Sequence, residues 1–172
     1  MSFELVEIES SERSHLESYS ECLWQYAYPP SLLDESVSKR LWIRSYSLAA
    51  LTESAEKGER FYWIHQDRAR AGFLSFRFDH ESRVLYLSKL YLHPDYWGKG
   101  LGHDVLLSVS EIAQDQGADR IQLFVFRKNT RAVRAYLRAG FRVQRAEITE
   151  VEKGLVYDDY VMVLDLVAPL AH

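Results

Sequence analysis

The segment Leu90-Tyr91-Leu92-His93-Pro94-Asp95-Tyr96-Trp97-Gly98-Lys99-Gly100-Leu101-Gly102 holds most of the chemistry that this sequence offers. Its three glycines alternate with single residues just ahead of a stripe, Leu101, Val105, Val109, Ile112 and Ala113, at helical spacing. Glycine lets main chain approach a ligand closely. The first N–H groups of a helix lack internal partners and sit at the positive end of its dipole, so such a corner binds a phosphate or diphosphate. Two common phosphate motifs do not fit. A P-loop needs Gly at 93 and Ser or Thr at 100, where His93 and Gly100 stand, and a dinucleotide fingerprint needs Gly or Ala at 103, where His103 stands.

Periodicity shows which elements position this corner. Phe3 to Ile8 alternate as a strand, and Ser11 is placed to cap a helix that carries Leu16, Tyr19, Leu23 and Tyr26 before Pro29-Pro30 stops it. A second helix is predicted from Asp34 to near Gly58. Between Phe61 and Leu92 the pattern alternates in runs separated by polar turns, predicting three antiparallel strands. After the glycines come a helix to Gly117, a strand from Ile121 to Phe126, and a short helix capped by Asn129 and closed by Gly140. Two tail strands follow, from about Phe141 to Ile148 and Tyr157 to Leu166. This order predicts an α/β (α+β) fold, a single domain over residues 1–172 with a mixed, mostly antiparallel sheet of about seven strands flanked by about four helices.

On these elements, Trp97-x-x-Gly100-x-Gly102 resembles the acyl-CoA-binding segment of the GNAT superfamily of N-acetyltransferases, whose pattern is Gln or Arg, two residues, Gly, one residue, then Gly or Ala. Trp97 departs from that pattern. At the family's distance, Asn129-x-x-Ala132-x-x-x-Tyr136-x-x-x-Gly140-Phe141 resembles the superfamily's Asn, Ala, Tyr, Gly-Phe helix, and the likeness extends over roughly Phe61 to Leu166. The resemblance implies acetyl-CoA as cosubstrate, no metal, and direct transfer of the acetyl group to a primary amine of a small molecule or peptide in a ternary complex. It implies that the pantetheine arm pairs with the backbone of Leu90, Tyr91 and Leu92. The diphosphate is then held by Trp97, Gly98, Lys99, Gly100, Leu101, Gly102 and His103. Asn129 meets the pantetheine amide, Arg131 stands in a basic cluster with Arg127, Lys128 and Arg134 that attracts the cofactor's phosphate, and Tyr136 protonates the departing thiolate.

An amine of pKa about 10.4 is neutral in well under 1% of molecules at pH 7, so transfer needs a base. The resemblance implies a Glu on the fourth strand, but Ser88 stands at that position, and a hydroxyl is too weak a base alone. A water chain or one of Asp79, Glu81, Glu21, Asp158 and Asp159 must then serve. Glu17, Tyr19, Glu21, Trp24, Tyr26 and Tyr28 offer carboxylates and rings to a cationic amine, or pack the core. The Lys-Asn-x-x-Ala run and the tail Asp158-Asp159-Tyr160-Val161-Met162 resemble subfamilies that acetylate polyamines. Cys22 reads as a buried packing thiol. Two alternatives remain: a non-catalytic acyl-CoA sensor, favoured by the absent Glu at 88, and an ATP-binding protein using the glycine loop.

Composition narrows the partners. Lys and Arg number 21 against 25 Asp and Glu, a net charge of -4, so no positive field holds nucleic acid. One cysteine makes no intrachain disulfide, and the start, MSFELVEIES, lacks the basic-then-apolar run of a secretory signal. No run of about 18 apolar residues occurs. The expectation is a cytoplasmic protein with no membrane contact, whose exposed tail strands could pair in a homodimer.

Overall fold

The computed structural model describes residues 2–166. The chain runs β1 (Phe3–Glu7), a 3-10 turn (Ser10–Glu12), α1 (Arg13–Ala27), α2 (Glu35–Tyr46), α3 (Leu48–Glu56), β2 (Arg60–Gln66), β3 (Ala69–Asp79), β4 (Val84–Leu92), a second 3-10 turn (Pro94–Tyr96), α4 (Leu101–Asp115), β5 (Arg120–Phe126), α5 (Thr130–Arg138), β6 (Arg142–Glu152) and β7 (Leu155–Asp165). The strands form one sheet in the order β1-β2-β3-β4-β5-β7-β6. β4 and β5 run parallel, and the other neighbours are antiparallel.

Two departures from the predicted elements have local causes. The helix expected from Asp34 to Gly58 is broken into α2 and α3, giving five helices rather than about four. Ser47 adopts an extended ψ of 153° and its hydroxyl accepts from the Ala50 amide at 3.2 Å, while the Glu17 carboxylate accepts from the Leu48 amide. The 3-10 turn ahead of α1 is held by Glu9 and Glu12 in a reciprocal box, and Ser11 lies inside that turn rather than capping the helix.

The sheet packs helices on both faces. α4 and α5 cover Leu85, Leu87, Ile121, Leu123, Val125 and Met162. On the opposite face α1, α2 and α3 lay Leu16, Leu23, Tyr46 and Leu51 against Phe61, Trp63 and Phe73. Each such fully buried side chain contributes about 1.5–3 kcal/mol. Because α1 turns Leu16, Ser20, Leu23 and Ala27 inward, Cys22 faces outward and is exposed, not buried as expected. No helix among the described residues is long and apolar enough to cross a membrane.

One irregularity shapes the site. Pairing of β3 with β4 slips between Ser75↔Lys89 and Phe76↔Leu87, leaving Ser88 as an extra residue in a bulge. A bulge bends its strand. β4 and β5 pair only from Val84↔Arg120 to Tyr86↔Gln122, yet β4 continues to Leu92 and β5 to Phe126. Their facing edges therefore diverge, and backbone groups that would have closed the ladder are left for another partner.

Candidate active site

The glycine corner is built by short-range contacts. His93 Nδ1 accepts from the Asp95 amide at 3.2 Å and starts the 3-10 turn, and the Trp97 amide closes it on Pro94 O at 3.0 Å. Gly98 and Gly100 then take φ of 69° and 85°, a left-handed region that costs an ordinary residue roughly 1–2 kcal/mol. A β-carbon at either position would meet nothing within 4 Å, so these glycines serve the turn and leave open space in front of it. The Asp104 amide donates to Gly100 O at 3.1 Å, and the amides ahead of it in α4 are the free donors of a helix start.

From this corner a cavity of about 690 Å³ runs into the divergence between β4 and β5. Most of the residues singled out in the sequence meet on its walls: Leu90, Tyr91 and Leu92 from β4, Trp97, Gly98, Gly100, Gly102 and His103 from the corner, and Asn129, Arg131 and Tyr136 from the α5 end. Lys99 and Leu101 do not. Lys99 is exposed, and Leu101, 3% exposed, turns into the core because it begins the apolar stripe of α4. Leu92 lines the cavity, but its carbonyl already accepts from the Trp97 indole at 2.8 Å and so is taken as a backbone partner.

Trp97 has a second contact. The Arg131 guanidinium lies 3.6 Å from the centre of its ring, a cation–π stack that carries a positive charge to the mouth of the corner. Its neighbour Arg127 is committed elsewhere, pairing with Asp158 at 2.8 Å. Asn129 caps α5, with Oδ1 accepting from the Ala132 amide at 3.3 Å. Tyr136 packs edge-on to Phe141 at 5.6 Å, and burial raises its phenol so that it stays protonated, the form able to donate.

Of the aromatic and acidic side chains of the first helix and its exit, only Tyr28 reaches the cavity. Tyr19 and Trp24 pack into the core, where Trp24 also donates to Ser38 at 2.8 Å. Tyr28 belongs to a group that local sequence did not reveal. Its hydroxyl interacts with the Tyr91 hydroxyl and the Asn129 side-chain amide, and Tyr91 in turn with Tyr46, while burial raises all three phenols. Beneath them Lys89 Nζ sits 3.1 Å from Glu59 Oε1, both side chains under a tenth exposed, and Ser75 donates to the same carboxylate.

Among the carboxylates raised as bases, Asp79 accepts from the Ser82 side chain and from the Glu81 and Ser82 amides, which lowers its pKa, and Asp158 pairs with Arg127. Asp159 is pushed up to about 6, by burial first and then by the charges of Asp158 and Glu147. Among the described residues no three His, Cys, Asp or Glu side chains gather to hold a metal ion.

The Acetyltransferase (GNAT) family model matches residues 14–141, and the chain belongs to this family. An uncharacterised N-acetyltransferase of Mycobacterium tuberculosis is 40% identical over 88 residues, 51% of this chain and 55% of that protein, so the match spans about half the length of that relative. A spermidine N(1)-acetyltransferase of Thermoplasma acidophilum is 25% identical over 150 residues, 84% of this chain and 91% of that one. In fold, the chain is similar to the PaiA N-acetyltransferase of Thermoplasma acidophilum solved with coenzyme A, at a TM-score of 0.75 and 23% identity over 96% of this chain and 99% of the other.

Proposed function

We propose that the protein is a single-domain, acetyl-CoA-dependent N-acetyltransferase whose acceptor is the primary amine of a small polycation such as a polyamine. The observation that carries this reading is the cavity that joins a helix-start anion corner to the open edge between β4 and β5. That shape suits a ligand with a diphosphate at one end and a narrow arm at the other. The polyamine preference is supported by the spermidine-acetylating relative and by the acids and rings, Asp159, Glu147, Phe126 and Tyr28, grouped at the C-terminal end of β5.

The bound substrate supplies an activated acetyl thioester. The amides from Gly98 to His103 hold its diphosphate. Arg131, steadied on Trp97, provides the side-chain donor that a Gln or Arg at 97 would otherwise lend. Backbone groups of Leu90 and Tyr91 bind the arm and polarise the thioester carbonyl. Tyr136, neutral across the physiological range, gives its proton to the departing sulfur.

Thermal-shift titration with CoA, acetyl-CoA, ATP and NAD, followed by an acetyl-transfer assay over spermidine and peptide amines, tests this reading. CoA at a hundred times its Kd adds about 2.7 kcal/mol of stability. Stabilisation by ATP but not CoA overturns the reading, and acetyl-CoA binding without consumption over the whole panel replaces it with an acyl-CoA sensor.

A further inference from the structure

Position 88, on the bulge of β4, carries a hydroxyl, so the proton of the acceptor amine needs another exit. We infer that this proton leaves through the Tyr28 phenol to the Asp159 carboxylate, with Tyr28 in contact with the amine and Asp159 the terminal base behind it. The inference rests on the acetyl transfer proposed above.

The sheet register sets Asp159 beside Phe126, and the Phe126 ring neighbours Tyr28. Asp159 of β7 lies opposite Phe126 of β5, and directly opposed residues project from the same face of a sheet. The next residue, Tyr160, packs into the α4 and α5 core, so Asp159 and Phe126 face the side of α1, α2 and α3. The Phe126 ring is 6.0 Å from the Tyr28 ring, which sets Tyr28 over this end of β5, and the charge of Asp159 is felt at the Tyr28 hydroxyl. Tyr28 lines the cavity and is tied to Tyr91 and Asn129, which line it too. The groups around Asp159 are Asp158 on its own strand, paired with Arg127; Glu147 opposite it on β6; and Tyr28, itself under the influence of Arg131 from α5. With its pKa at about 6, the Asp159 carboxyl is ionised at pH 7 and retains useful basicity.

The step balances. An alkylammonium and an acetyl thioester give an amide, a thiol and one proton. That proton moves from nitrogen to the Tyr28 oxygen as the Tyr28 proton moves to Asp159, and solvent then takes it. Nitrogen forms the C–N bond, the C–S bond breaks, sulfur takes the proton of Tyr136, and the second nitrogen proton restores Tyr136.

Carboxyl carbon NMR on the full chain judges the pairing without any substrate. The Asp159 midpoint should lie near pH 6, and a Tyr28 hydroxyl that donates to the ionised carboxylate, as the relay requires, should make it move upward in Tyr28→Phe. A midpoint near the ordinary value of about 3.9, or one that ignores Tyr28→Phe, overturns the relay. With spermidine as acceptor, Asp159→Asn should lower kcat about a hundredfold at pH 7 and abolish the acid limb near pH 6. Its deficit should narrow toward pH 10, where the amine loses its own proton. A deficit constant across pH overturns the relay. Calorimetry with CoA on the same proteins separates the failures: wild-type protein that binds no CoA removes the transferase reading and the relay with it, whereas normal CoA binding with a flat pH deficit removes the relay alone.

Discussion

Tyr136 and Asp159 are both ionisable side chains raised by burial, with opposite consequences. Raising a phenol keeps it a proton donor, and Tyr136→Phe should lower turnover about a hundredfold with little change in CoA affinity, measured by steady-state kinetics beside calorimetry. Raising a carboxyl toward neutrality makes it a better base but strains the fold once it ionises. The stability this group allows is complete below the unfolded value near 3.8 and is lost as pH rises through about 6. Asp159→Asn should therefore melt higher than wild type at pH 8, and the gain should vanish at pH 3.5. The Asn129 cap was legible in the sequence because capping is a local pattern, whereas Tyr136 was singled out by the resemblance of its helix to the family segment. Tyr28 gave no comparable signal, because its partners Tyr91 and Asn129 reach it only through the fold.

The glycine corner and the bulge of β4 are the elements that open the site. The corner was legible, since positive φ confines certain turns largely to glycine and the apolar stripe of α4 follows at once. Gly100→Ala should cost roughly 1–2 kcal/mol in denaturant unfolding and weaken CoA binding, because its φ of 85° must either be strained or change. The divergence of β4 from β5 was not legible. It depends on Ser88 being left over when β3 and β4 pair, a register fact that alternation within one strand does not record. The break between α2 and α3 lay within reach of the sequence, for Ser47 is a good capping residue, but the apolar pattern runs through it and masks the signal.

At the scale of the whole molecule, two helical layers clamp a sheet that is split near its centre, and the split needs support from below. Lys89 and Glu59 supply part of it, joining β4 to the start of β2 under the tyrosine cluster. Removing one partner of a buried ion pair leaves the other charge stranded, so Lys89→Met should destabilise the chain by about 3–5 kcal/mol in denaturant unfolding. Lys89→Met with Glu59→Gln should recover much of that loss. Element order indicated the fold, but the pairing of residues 59 and 89 belongs to tertiary structure alone.

The most direct test is a crystal structure of the chain with CoA. The diphosphate should lie on the amides from Gly98 to His103 beneath Arg131, the arm between β4 and β5, and the sulfur beside Tyr136. CoA bound elsewhere, or a corner left unfilled at saturating CoA, would contradict the account.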